Sequence, residues 1–376
     1  MTTVSARVEA VIEDLKTARV ELASDTDKVS AIASSMVQLS YFAYNEPIEQ
    51  IAIDVANPDM VFPAVPDSYW RCVWGPVTDP EKGNLLYGAG LFAGSPDDAV
   101  QPSPFLVAVV SRGTADPDTT GLLKDLYEDA TPVPQCQWLD VPNAWIATGS
   151  LDALTTVTAL RWNGETMLEY LSALPEQQGY EPIILVTGHS LGGCLASMLA
   201  PWLAAKLPPA KTAWLTPITF AGPTAGTQGF VNTLIDACPL RQIYVNPMDV
   251  VPRAWWDITS IPDIYGWKYF DPVVETWALT TAGLLEVLDD PYVPVPSPIP
   301  ALPGIFIDLG DPHFGIEWFQ EALAQHSCAN YMLLMGLPAP YAFSPGAHPL
   351  QRLEETQRAA PSQGQGAGQR WQTPRS

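Results

Sequence analysis

The sequence predicts an α/β fold, a mostly parallel central sheet with helices on both faces. Three observations carry this. Ile183–Val186 and Phe105–Val110 are short, unbroken apolar runs of the kind found in strands buried on both sides. Strand-length and helix-length segments alternate from about residue 105 to 245, the rhythm of βαβ units. A glycine-flanked turn, Gly188-His189-Ser190-Leu191-Gly192, joins one such strand directly to a helix of small and apolar residues.

Taken in order, apolar residues at Val4, Val8, Val11, Ile12, Leu15 and Val20 predict an amphipathic helix over 4–22. A second helix is expected to run to about Tyr44, capped by Asp25 or Thr26 and containing Val37-Gln-Leu-Ser-Tyr-Phe-Ala-Tyr44. Strand-like pieces follow at Tyr69–Trp74, Leu85–Phe92 and Phe105–Val110, then a polar stretch and a short helix at Thr120–Tyr127. Asn143–Ala147 reads as a strand and about Asp152–Leu174 as one long helix. The strand at 182–187 leads into a helix over Leu191–Ala204. Thr212–Phe220 and Arg241–Val245 read as further strands around a helix at Gly226–Cys238.

From Arg253 to Gly315 regular patterning stops. Trp255, Trp256, Tyr265, Trp267, Tyr269, Phe270 and Trp277 crowd together ahead of the stiff, Pro-rich stretch Pro291–Pro300. Two readings of this segment stand: a wall over the functional site, or an insertion packed on the flank. A single helix is expected at Ile316–Met335, and Arg352–Ser376 has a disordered composition. The expected organisation is an N-terminal helix (1–26), a main α/β domain (27–350) with the aromatic, Pro-rich insertion at about 253–312, and a disordered tail (351–376).

Composition narrows the function. The chain has 376 residues, 47% of them hydrophobic, ample for a sizeable core. A net charge of −23 argues against a nucleic-acid partner and against charge-driven binding to anionic lipid. Cys72, Cys136, Cys194, Cys238 and Cys328 are widely spaced without a Cys-x-x-Cys, so free thiols are expected, with no disulfide framework and no metal or other cofactor. The N-terminus has no basic start or apolar core of signal-peptide length, and no stretch of 18 uncharged apolar residues occurs. A soluble protein is expected, with no transmembrane segment and no Sec signal, either cytoplasmic or exported by a non-Sec route.

Ser190 is the candidate nucleophile. A serine hydroxyl needs a sharp turn to present it and a base beside it, and the turn's close backbone contacts demand glycine at the flanks. A bare Gly-x-Ser-x-Gly arises by chance about 0.1 times in a chain this long, and an ordinary strand–loop–helix connection is the alternative. Of the four histidines, His189 lies inside the turn and points away from its neighbour, and His348 borders the tail. His326 is favoured as base over His313, which follows Asp311-Pro312. For the acid, Asp249 sits in Asn246-Pro-Met-Asp-Val-Val-Pro252 just after a strand, stiffened by proline on both sides. Asp257 and Asp263 are rivals only if the loop is re-routed. Leu191 N–H and Thr114 N–H, the latter at the end of strand 105–110, are the natural donors to an oxyanion. Arg112 reads as a brace for that loop.

Ser111-Arg-Gly-Thr114 after an apolar strand, Thr187-Gly-His-Ser-Leu-Gly-Gly193, Asn246-Pro-Met-Asp-Val-Val-Pro252 and His326-x4-Tyr331 together resemble the class 3 (fungal-type, Rhizomucor-like) lipases of the α/β-hydrolase fold. Val37–Tyr44 is similar to their N-terminal helix phrase, and the resemblance spans about residues 30–340. It implies a serine carboxylic-ester hydrolase acting on acylglycerols or related lipids at a lipid–water interface. The implied triad is Ser190, Asp249 and His326, with Thr114 and Leu191 as oxyanion donors, no metal, and a lid helix at Asp116–Leu126. A phospholipase A1, a thioesterase, an acyltransferase or a catalytically silent binding protein on the same fold are the alternatives.

Overall fold

The computed structural model describes residues 4–21, 30–61, 65–97, 103–112, 134–176, 179–266, 271–288, 290–306 and 316–337. The helix expected at Thr120–Tyr127, the lid position Asp116–Leu126, Thr114, His313, His348 and the 351–376 tail lie outside them.

Three helices open the chain: α1 (Val4–Glu21), α2 (Ala31–Phe42) and α3 (Glu49–Ala56). Helix α2 starts later than expected, because Ser30 and not Asp25 or Thr26 caps it, its hydroxyl accepting from Ala33 N at 2.9 Å. Strands β1 (Ser68–Thr78), β2 (Leu85–Ala93) and β3 (Leu106–Ser111) follow, each antiparallel to the next.

Between 134 and 174 one expectation holds in part and one fails. The strand expected at Asn143–Ala147 forms as β5 (Trp145–Ala147), but it pairs with β4 (Gln135–Gln137) in a separate two-stranded ribbon. The single long helix is broken into α4 (Thr148–Ala159) and α5 (Met167–Ala173) by a hairpin of β6 (Arg161–Trp162) and β7 (Glu165–Thr166). Asn163 and Gly164 turn that hairpin with φ of 51° and 84°. An Asn-Gly pair adopts this left-handed geometry at little cost, so the break was written in the sequence. Thr166 and Glu169 then form a reciprocal capping box that starts α5.

The site-bearing part of the sheet is β8 (Ile183–His189), β9 (Thr216–Phe220) and β10 (Gln242–Tyr244), connected by α6 (Leu191–Lys206) and α7 (Gln228–Ala237). The six strands run in the order β1-β2-β3-β8-β9-β10, and the β3–β8, β8–β9 and β9–β10 pairings are parallel. The sheet is thus mixed, with its parallel half at the functional end. Successive residues of β3 and β8 feed opposite cores. Leu106, Ala108, Val110, Ile183 and Leu185 pack with Met36, Val37 and Leu39 of α2, while Val107, Val109, Ile184 and Val186 pack with Leu195, Met198 and Leu199 of α6. Burial on both faces explains why these strands are apolar at every position.

Patterning does not stop after Arg253. Asp271 caps α8 (Pro272–Leu285), accepting from Val273 N at 2.7 Å, with Pro272 in the first turn. Val273, Leu279 and Leu284 face solvent, so the helix carries apolar residues on both faces and lacks the periodicity that would have announced it. The Pro-rich stretch runs along the open edge of β10. Ser297 Oγ donates to Ile243 O at 2.9 Å, and Leu302 N donates to Val245 O at 2.9 Å. A strap whose prolines cannot themselves serve as a strand template closes the edge. Residues 297–302 therefore take the flank position rather than that of a wall over the site. The final helix is two helices, α9 (Ile316–His326) and α10 (Cys328–Leu334), divided at Ser327, whose hydroxyl caps α10 by accepting from Asn330 N at 3.1 Å. All five cysteines are free thiols.

Candidate active site

Strand β8 ends at His189 and α6 begins at Leu191, leaving Ser190 alone in the turn with φ 61° and ψ −133°. A non-glycine residue held at positive φ costs of order 1–3 kcal/mol and persists only where its surroundings over-determine it. Here they do. Ser190 N donates to Phe220 O at 3.1 Å, and Gly193 N donates to Ser190 O at 2.8 Å. A Cβ at Gly188 would sit 2.3 Å from Gly192 O, and one at Gly193 2.6 Å from Phe220 O, so the turn closes only with glycine at both places. Ser111 Oγ, at the end of β3, donates to Gly192 O at 2.7 Å and ties the neighbouring strand to the turn. Leu191 N–H stands in the first turn of α6, where backbone donors lack helical partners.

The structure brings Ser190, His326 and Asp249 together. His326 Nε2 lies 2.8 Å from Ser190 Oγ, and His326 Nδ1 lies 2.9 Å from Asp249 Oδ2 and 3.1 Å from Oδ1. A carboxylate can only accept, so Nδ1 carries the proton and Nε2 presents its lone pair to the serine hydroxyl. The arrangement can therefore remove a proton from Ser190 and stabilise the resulting imidazolium. All three side chains are buried, Ser190 least, at 7% exposure.

Asp249 sits in a loop shaped by Asn246, whose side-chain oxygen accepts from Met248 N at 3.0 Å. Its oxygens also accept from Val251 N at 2.9 Å and from Tyr331 Oη at 2.8 Å, which offsets the cost of burying a charge. Burial, and then the Asp249 charge, hold the Tyr331 phenol well above its ordinary range, so it remains a donor. Asp257 is engaged elsewhere, 3.1 Å from Arg253 Nη1. Arg112 pairs with Glu46 at 3.1 Å and donates to Gly83 O at 2.7 Å, while the loop it was expected to brace lies outside the described residues.

Sequence reasoning missed the supports of His326. Asn246 Nδ2 and Asn330 Nδ2 both donate to Gln325 O, at 3.1 and 3.2 Å. His189 Nε2 lies 2.6 Å from His326 O, and Tyr44 Oη lies 3.2 Å from His189 Nδ1. The His189 ring meets the backbone of the partner histidine, while the imidazole in contact with Ser190 is that of His326. The only sequence signal for His189 was its place in the turn. No cluster of potential metal ligands occurs among the described residues, and no described helix is long and apolar enough to cross a membrane.

A sheet of this order, with a strained serine between its central parallel strand and the following helix, defines an α/β-hydrolase. Residues 108–257, which hold Ser190 and Asp249, match the family model for lipase (class 3). Among solved structures, M37 lipase is similar in fold, with a TM-score of 0.62, 23% identity, and 88% of this chain and 97% of that chain covered. Rhizomucor miehei lipase in its propeptide complex aligns with a TM-score of 0.44, 21% identity and coverage of 60% and 62%. Lipase II from Rhizopus niveus aligns with a TM-score of 0.45, 20% identity and coverage of 59% and 73%. No curated protein matches the sequence.

Proposed function

We propose that Ser190, His326 and Asp249 are the catalytic relay of a lipase that cleaves acylglycerols or related lipid esters through an acyl-enzyme. The observation that carries this is the unbroken path from Asp249 to His326 at 2.9 Å and from His326 to Ser190 at 2.8 Å. Ser190 Oγ attacks the ester carbonyl as its proton passes to His326 Nε2. The oxyanion is met by Leu191 N–H and, by the family resemblance, Thr114 N–H. The alcohol leaves with the proton from His326, and water then repeats the sequence on the acyl-enzyme.

The substrate is expected to be met at an uncharged lipid surface. Seven of the ten large apolar side chains exposed among the described residues fall within 256–306: Trp256, Val273, Leu279, Leu284, Val287, Ile305 and Phe306. This concentration along the chain is taken as the lipid-facing part of the surface. The segment adjoins the acid loop, since Tyr265 Oη donates to Met248 O at 3.0 Å. With a net charge of −23, neutral or zwitterionic lipid is the expected partner.

Turnover of a triglyceride emulsion, phosphatidylcholine vesicles and short p-nitrophenyl esters by the wild type and by Ser190→Ala tests the reading. Hydrolysis of emulsified triglyceride that disappears in the variant is expected. Activity confined to phospholipid, or retained by the variant, would contradict it.

A further inference from the structure

Helix α9 ends at His326, so its last carbonyls cannot be taken up by the next turn of the same helix. Gln325 O receives the side-chain amides of Asn246 and Asn330. His326 O lies 2.6 Å from Nε2 of His189, a residue on a different element 137 positions away in sequence. A carbonyl only accepts, so His189 carries its proton on Nε2 and offers a lone pair on Nδ1. The Tyr44 hydroxyl is 3.2 Å from that nitrogen and 3.2 Å from His189 O, so one proton is shared between two acceptors. The His189 ring is enclosed by three others, with centroids 4.7 Å from His326, 5.7 Å from Tyr331 and 5.9 Å from Tyr44. Burial and the neighbouring His326 hold the His189 imidazole well below its ordinary range, in keeping with a permanently neutral donor.

We infer that His189, its tautomer set by the His326 carbonyl and its far nitrogen met by Tyr44, is a positioning residue for the base: it fixes the backbone of His326 and so the place of that imidazole against Ser190. The device is compact. Residue 190 carries the hydroxyl and residue 189 reaches across to hold the chain that carries the base, so both partners of the 2.8 Å contact are set by the same turn. Tyr44 gives the phrase Val37–Tyr44 a task at the site. Ser40, in the same phrase, lies 3.1 Å from Thr187 of β8, which registers α2 on the strand beneath.

The inference rests on the relay assigned above, and the test separates the two. Four variants are compared with the wild type on a p-nitrophenyl ester, with active sites counted by a fluorophosphonate and folding followed by Tm: Ser190→Ala, His189→Leu, His189→Gln and Tyr44→Phe. His189→Leu removes the donor and should lower kcat about 10- to 100-fold, the size of effect a misplacement of about 1 Å produces, with KM within about twofold. His189→Gln restores an N–H near the place of Nε2 and should recover most of that loss. Tyr44→Phe should lower kcat by about three- to tenfold, because His189 Nδ1 loses its hydroxyl partner and the ring that holds His326 O is placed less firmly. Unchanged kcat in His189→Leu, a loss confined to KM, or a folded His189→Gln no better than His189→Leu would overturn the inference. If His189→Leu does not fold, wild-type kcat in Tyr44→Phe overturns it. Activity retained by Ser190→Ala would instead remove the relay itself.

Discussion

Tyr331 donates its hydroxyl to Asp249 across 2.8 Å from a position five residues beyond His326, so α9 and α10 deliver both the base and a clamp for its acid. The same hydroxyl accepts from Asn246 N at 3.1 Å, which joins the clamp to the start of the acid loop. Replacing Tyr331 with Phe leaves a buried carboxylate short of one donor. That should cost about 1–3 kcal/mol of stability and lower kcat severalfold. Because the phenol stays protonated, the loss should be the same at pH 6 and pH 9. Denaturant titration and kinetics at the two values check this.

Asp249→Asn should be far more damaging to rate than to fold. An amide N–H facing His326 Nδ1 favours the opposite tautomer, and the proton on Nε2 then points at Ser190. A kcat lower by about 10³- to 10⁴-fold is expected with a Tm near that of the wild type, measured on a soluble ester.

His189 also makes a pH prediction. Its native imidazole resists protonation, whereas the unfolded chain takes up a proton near 6.5. The stability this contributes is therefore complete above about pH 6.5 and is lost as pH falls below it, at up to about 1.4 kcal/mol per pH unit. His189→Gln should flatten the fall in Tm between pH 7 and pH 5. Identical slopes for variant and wild type would exclude a neutral buried imidazole.

The exposed apolar segment can be tested apart from the chemistry. Leu279→Glu with Val287→Glu, both on exposed positions, should lower turnover of emulsified triglyceride by about tenfold or more, the equivalent of ~1.4 kcal/mol of lost adsorption. Turnover of a dissolved short ester should be unchanged. Equal effects on both substrates would show that the segment serves the fold or the pocket and not a lipid surface.

How much of this was legible in the sequence depended on range. Ser190 was readable because its turn is local: Gly188 must be glycine because a Cβ there would strike Gly192 O within the same turn, and the apolar run before it marks a strand buried on both faces. Asp249 was readable because Asn246, Pro247 and Pro252 build its loop within seven residues. The hairpin at Arg161–Thr166 was missed although Asn163-Gly164 announced it, since helix-like spacing on either side outweighed two residues of turn chemistry. Helix α8 was missed because its outer face is apolar, and amphipathic contrast is the signal that periodicity reads. His189 and Tyr44 were beyond reach for another reason. Their roles exist only once residues 44, 189 and 326 meet, and no pattern along one chain encodes a hydrogen bond across 137 positions.

The most direct measurement is the residue that reacts. The folded wild-type protein is treated with a fluorophosphonate and digested, and the adduct is located by mass spectrometry while ester turnover is followed in parallel. One adduct per chain on Ser190, formed in step with the loss of turnover, absent from Ser190→Ala and slowed about 10³- to 10⁴-fold in Asp249→Asn, is the predicted result. Turnover abolished by modification at another residue, or full turnover with Ser190 modified, would contradict the account.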